Sequence, residues 1–245
     1  MSSTAHPTLL RSAVSEGLGT ALLLAAVVGS GIMGENLAGG NVAIALLANT
    51  IATGAALVAL ILTFGSISGA HFNPAVTLAD AAMGGIRWRV VPAYVLMQVL
   101  GAFLGVIAAH AMFGHEPFAA SARVRAGAPQ LLSEFVATFG LLSVIWGCAR
   151  SRPCAVPFAV GAYITAAYWF TASTSFANPA VTLARAATDT FSGIRPQDAP
   201  GFIVAQLVGA ACSTALFRWL VPVLPAAAAD VLVPGSESTS RTDAA

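Results

Sequence analysis

Two asparagines carry most of the chemistry this chain can do. Each opens the same phrase, Asn-Pro-Ala-Val-Thr-Leu-Ala, at Asn73–Ala79 and again at Asn178–Ala184. An asparagine oxygen caps a helix by accepting from an orphan backbone N–H, which leaves the side-chain amide free to donate. Proline fits the first helical position, where its missing N–H costs nothing. Asn73-Pro74-Ala75 and Asn178-Pro179-Ala180 therefore each start a helix. Two amide donors beside two helix N-termini, each worth about half a positive charge, favour a neutral hydrogen-bonding solute and repel cations.

A repeated heptamer in 245 residues implies internal duplication. Each copy follows a serine-containing approach, Ser68-Gly-Ala-His71-Phe72 and Ser173-Thr-Ser175-Phe176-Ala177. Gly84-Gly85 stops the first helix after two or three turns, well short of the roughly 20 residues that cross a bilayer. Inside a membrane, each copy would be a half-helix whose positive end lies at mid-depth. That arrangement marks inverted-repeat transport proteins, with the site at the repeat interface.

Composition places the chain in a membrane. Charged residues are 9% and hydrophobic residues 57%, and mean hydropathy is +0.81, whereas a soluble domain carries about 25% charge. A formal charge of +1 without a basic run gives no reason to expect a nucleic-acid partner. Cys148, Cys154 and Cys212 are too scattered for a metal site and read as free thiols. The first ten residues lack the pattern of a removable signal peptide.

The fold class that follows is an all-α membrane protein, with six transmembrane helices and two re-entrant half-helices in an inverted repeat. Spans are expected near 12–33, 41–64, 90–113, 130–149, 155–172 and 200–220. Residues 1–113 form the first repeat, 114–129 a connecting loop, 130–224 the second repeat, and 225–245 a disordered cytoplasmic tail. Glu16-xxx-Thr20 recurs as Glu134-xxx-Thr138, and Gln98-xx-Gly101-Ala102 as Gln206-xx-Gly209-Ala210. With the N-terminus inside, seven arginines (11, 87, 89, 150, 152, 218, 241) fall on the cytoplasmic side and four (123, 125, 185, 195) outside. The balance puts both termini in the cytoplasm and the chain in the cell membrane.

The two Asn-Pro-Ala boxes between long apolar segments resemble the major intrinsic proteins, the aquaporins and aquaglyceroporins, over nearly the whole length. The resemblance implies a channel that passes neutral solutes and excludes ions and protons, without a cofactor, assembled as a homotetramer. It also implies that Glu16 and Glu134 support the re-entrant loops rather than couple protons. Gln98 and Gln206 take interhelical hydrogen bonds, and His71 supports the first loop facing the cytoplasmic vestibule.

One departure bears on the solute. Most water and glycerol channels of that family carry arginine directly after the second box, lining the narrow outer constriction; this chain has Val181. Arg185 lies one helical turn on and is expected to point elsewhere. Thr53 falls where the family has a bulky aromatic. Tyr168, with Ser175 or Phe176, completes the candidate filter. An arginine-free ring of this kind would be wide. It resembles a subgroup of bacterial aquaglyceroporins associated with arsenic resistance, which makes water, glycerol-like polyols and arsenous acid the expected solutes.

No catalytic triad, metal cluster or phosphate loop stands out, so an enzyme is not expected. Two rivals remain open on the residues: a coupled secondary transporter, and a structural membrane protein without flux.

Overall fold

In the computed structural model, residues 8–221 are described, and their regular structure is helical, without strands. Eight α-helices follow in order: α1 (Leu9–Leu37), α2 (Val42–Ser68), α3 (Pro74–Met83), α4 (Val91–Phe113), α5 (Ala128–Ser151), α6 (Val156–Phe170), α7 (Pro179–Arg185) and α8 (Ala199–Leu220). Single 3₁₀ turns lead into α4, α6 and α8. All but α3 and α7 belong to the six segments long and apolar enough to cross a membrane. The half-helices have ten and seven residues, roughly 10–15 Å of rise against a hydrocarbon core of about 30 Å.

Local chemistry sets the boundaries. Asn41 caps α2 by accepting from Ala43 and Ile44 N–H at 3.1 and 3.3 Å. Gly69, at φ 86°, closes the same helix in the left-handed region that favours glycine. The spans run longer than expected at several ends: α1 continues to Leu37 and α2 to Ser68. Apolar patterning ends where lipid ends, whereas backbone hydrogen bonding continues until a cap stops it. The extra turn of α2 has a consequence, because it delivers Ser68 to the first re-entrant loop. The tail expected to be disordered lies outside the described residues.

Within the described residues, the halves pack by one plan. α1 lies against α4 and α5 against α8, while α2 and α6 meet across the middle. A Cβ on Gly101 would collide with the Gly17 carbonyl, and one on Gly209 would press on the Phe135 carbonyl. These glycines bring the helices close enough for Gln98 and Gln206, one turn away, to reach Glu16 and Glu134 and the half-helices. Gly101→Leu is expected to cost about 1–3 kcal/mol by overpacking, read as a lower thermal midpoint in detergent. An unchanged midpoint would mean that the helices are not in close contact.

The half-helices dock into shared cores. Ala75, Val76 and Met83 of α3 join Leu141, Trp146 and Ile164 from the second half. Ala180 and Val181 of α7 join Leu24, Val28 and Val106 from the first. Each repeat thus contributes a wedge to the other. On the outer faces, Leu96, Leu100 and Leu104 form an exposed stripe at four-residue spacing on α4, suited to lipid.

Candidate functional site

The two asparagines meet at the centre. The Asn73 side-chain oxygen accepts from Ala75 N–H at 2.9 Å, and that of Asn178 from Ala180 and Val181 N–H at 3.0 and 3.3 Å. Their amides are less free than expected. Asn73 Nδ2 donates to the Ala177 carbonyl at 2.8 Å, and Asn178 Nδ2 donates to the Phe72 carbonyl at 2.7 Å. Each asparagine therefore caps its own helix and clasps the loop of the other repeat. One hydrogen of each NH₂ remains for a solute. Both asparagines line a cavity of about 320 Å³.

Behind each loop stands a glutamate. Glu16 accepts from His71 N–H (3.0 Å), Phe72 N–H (2.7 Å), the Ser68 hydroxyl (2.6 Å) and Gln98 Nε2 (2.8 Å). Glu134 accepts from Phe176 N–H and Ala177 N–H, both at 2.9 Å, and from Gln206 Nε2 at 2.5 Å. The glutamines also donate to Thr77 and Thr182 on the half-helices, each at 2.8 Å. All four glutamate and glutamine side chains are fully buried, and none lines the cavity. The loops need this restraint. Ala70 and Phe72, like their repeat-mates Ser175 and Ala177, sit at φ 48–50°, at a cost of order 1–3 kcal/mol each.

Replacing a carboxylate by an amide turns one acceptor oxygen into a donor facing donors. Glu16→Gln and Glu134→Gln are each expected to lower stability by roughly 2–3 kcal/mol, while flux per folded channel stays near wild type. Thermal denaturation paired with liposome flux checks this. Proton-driven uptake lost in either variant would instead mean that the glutamates couple transport.

The five candidate filter residues converge on the cavity. Thr53, Tyr168, Ser175, Phe176 and Val181 all line it, and the Thr53 and Tyr168 hydroxyls pair at 3.3 Å. The Ser175 hydroxyl has no protein partner among the described residues.

Arg185, expected to point elsewhere, lies against the same cavity. Its guanidinium carbon is 3.4 Å from the centre of the Phe176 ring, and its Nε donates to the Ser192 carbonyl. Residues four apart share a helix face, and helical side chains lean toward the N-terminus. A long side chain at 185 therefore reaches back toward 181.

A second arginine arrives from the connecting loop, unseen in the sequence. Arg125 donates through Nε to the Gly193 carbonyl (2.9 Å) and through Nη1 to the Ser173 carbonyl (2.8 Å), with its guanidinium carbon 5.0 Å from the Phe176 ring centre. Burial first, then the Arg185 and Arg123 guanidiniums, push it down to about 9, still charged at neutral pH. Loop pairing holds it there: Ser121 N–H donates to the Ala186 carbonyl at 3.1 Å, and Arg195 N–H to the Arg123 carbonyl at 2.8 Å. Asp198 accepts from Arg125 N–H at 2.9 Å and from Arg195 at 2.8 Å.

Toward the other end, His71 is buried against the pore. Its Nδ1 lies 3.1 Å from the Thr77 hydroxyl and its Nε2 3.6 Å from Asp80. Asp80 is fully buried, and its carboxylate oxygens have no hydrogen-bond partner among the described residues. Sequence reasoning passed over Asp80, although a signal existed. It follows the first heptamer as Arg185 follows the second. The cysteines are unpaired among the described residues.

Comparison with known proteins agrees with this geometry. The family model described as major intrinsic protein matches residues 3–175 and 149–242. The chain is 58% identical over 213 residues to aquaglyceroporin AqpS of Rhizobium meliloti, covering 87% of this chain and 91% of that protein. It is 44% identical over 104 residues to aquaporin NIP1-1 of Zea mays, covering 42% and 37%. An X-ray structure of the aquaglyceroporin from Plasmodium falciparum shares the fold, with a TM-score of 0.71 at 20% identity over 89% of this chain and 99% of that one. Crossed asparagine clasps between duplicated half-helices, six membrane-crossing helices and this likeness lead to one conclusion: the chain belongs to the major intrinsic protein family, and is a multi-pass membrane channel and not an enzyme.

Proposed function

We propose that the channel conducts water, glycerol-sized polyols and neutral metalloid acids such as arsenous acid down their gradients. The observation that carries this reading is a cavity lined by both Asn73 and Asn178, by the polar side chains of His71, Thr53, Tyr168 and Ser175, and by the apolar Val76, Ile145, Val160 and Ile164. A solute with hydroxyls on one edge can hydrogen-bond there while its carbon edge lies on the apolar wall. Thr53 and Val181 leave room that an aromatic and an arginine would fill. The arginine balance supports termini on the cytoplasmic side of the cell membrane, and the family likeness supports a homotetramer. Stopped-flow permeability of proteoliposomes to water, glycerol and arsenite tests the reading. Flux no greater than in protein-free vesicles rejects the channel; accumulation against a gradient favours a coupled transporter.

A further inference from the structure

The eighth residue of each repeated phrase breaks the symmetry of an otherwise duplicated pore. The first heptamer is followed by Asp80 and the second by Arg185. The same offset relates His71, beside Asp80, to Phe176, beneath Arg185. Both repeats thus place a charged side chain against a ring three residues before their asparagine's helix begins its first turn, and the charges are opposite.

Arg185 differs from Asp80 in facing the lumen. It lines the cavity and Asp80 does not. Its Nε is tied to the Ser192 carbonyl, and its plane is backed by Phe176. No described carboxylate forms a salt bridge with it, and its polar neighbour across the cavity is the Tyr168 hydroxyl. Arg185 is 2% exposed, so the guanidinium is held, desolvated and without a salt-bridge partner among the described residues. Arg125 stands on the same ring and adds like charge. Because the guanidinium is held at the wall against Phe176, it projects charge into the lumen without crossing it.

We propose that Arg185 is a further specificity-determining residue for charge in this pore, adding to the field at Asn73 and Asn178, while Val181 and Thr53 set its width. Charge exclusion and size exclusion then sit on different residues. A small cation meets the guanidinium field at close range in a low-dielectric passage, where repulsion is strong. A polyol of the same size meets only hydrogen-bond donors. The inference rests on the channel reading above.

The test uses Arg185→Gln, Arg185→Lys and the double variant Arg185→Gln/Val181→Arg of the full chain in proteoliposomes. Methylammonium leak, glycerol flux and water flux are measured on each. Glutamine keeps an N–H for the Ser192 carbonyl and removes the charge. It is expected to raise methylammonium leak about tenfold or more, with the glycerol-to-water ratio within about twofold of wild type. Lysine keeps the charge and should keep the exclusion. The double variant should restore exclusion and now also lower the glycerol ratio. Unchanged cation leak in Arg185→Gln overturns the inference, leaving Arg185 a structural tie. If the glutamine variant does not fold, Arg185→Met decides: a raised methylammonium leak supports the inference and unchanged exclusion overturns it. A wild-type protein that passes no solute rejects the channel reading instead, so the two failures are distinguishable.

Discussion

The double substitution Asn73→Asp/Asn178→Asp is expected to abolish solute flux, with loss of folded protein accounting for part of the effect. An aspartate can still cap each helix, so the half-helices are not the first casualty. What disappears is the pair of amide donors to the Ala177 and Phe72 carbonyls. Each site would then hold a carboxylate oxygen facing a carbonyl oxygen at less than 3 Å, in place of a bond. Every orphaned buried acceptor costs roughly 1–3 kcal/mol, and a buried charge costs more. Two negative charges would also reverse the central field set by the helix N-termini. Single variants that reach the membrane should show at least tenfold lower glycerol flux and a measurable cation leak. Stopped-flow and dye-based leak assays at matched protein content read both. Normal flux and normal ion exclusion in the double variant would remove the asparagines from the mechanism.

Val181→Arg should shift the solute range toward water by closing the aperture. Val181 is buried, lines the cavity and sits one turn before Arg185 on the same face. A second guanidinium there would fill space a polyol needs. The glycerol-to-water and arsenite-to-water ratios are expected to fall about tenfold, equivalent to roughly 1.4 kcal/mol of added barrier. Thr53→Phe should act in the same direction through volume alone. Because the two residues share one constriction, the double variant should depart from additivity. Ratios that stay put in both singles and the double would show that Thr53 and Val181 do not limit the solute.

What could be read from the sequence was whatever the duplication spelled twice. The heptamers gave the capped half-helices, and the recurring Glu16/Glu134 and Gln98/Gln206 gave the residues behind them. Thr53, Tyr168 and Val181 came from resemblance, and the structure brings them onto one cavity. The place of Arg185 against the cavity depends on side-chain direction, which rise along a helix does not give. Arg125 left no local signal. Its burial depends on loop pairing between residues near 121 and 186, a contact that no periodicity encodes. The carbonyl partners of the asparagine amides were hidden for a similar reason, since they lie 104 and 106 residues away.

Those crossed clasps also impose an order on biosynthesis. Asn73 cannot complete its bonds until Ala177 has been made, and at about 5–20 residues per second that delay is roughly 5–20 s. During this interval the strained backbone at Ala70 and Phe72 has only Glu16 and its neighbours to hold it. Asn178, made one residue after Ala177, then fastens the first loop through the Phe72 carbonyl. Completion of the lumen is therefore tied to near-completion of the chain, and a ribosome that stalls after the first repeat leaves three helices in the bilayer but no open passage.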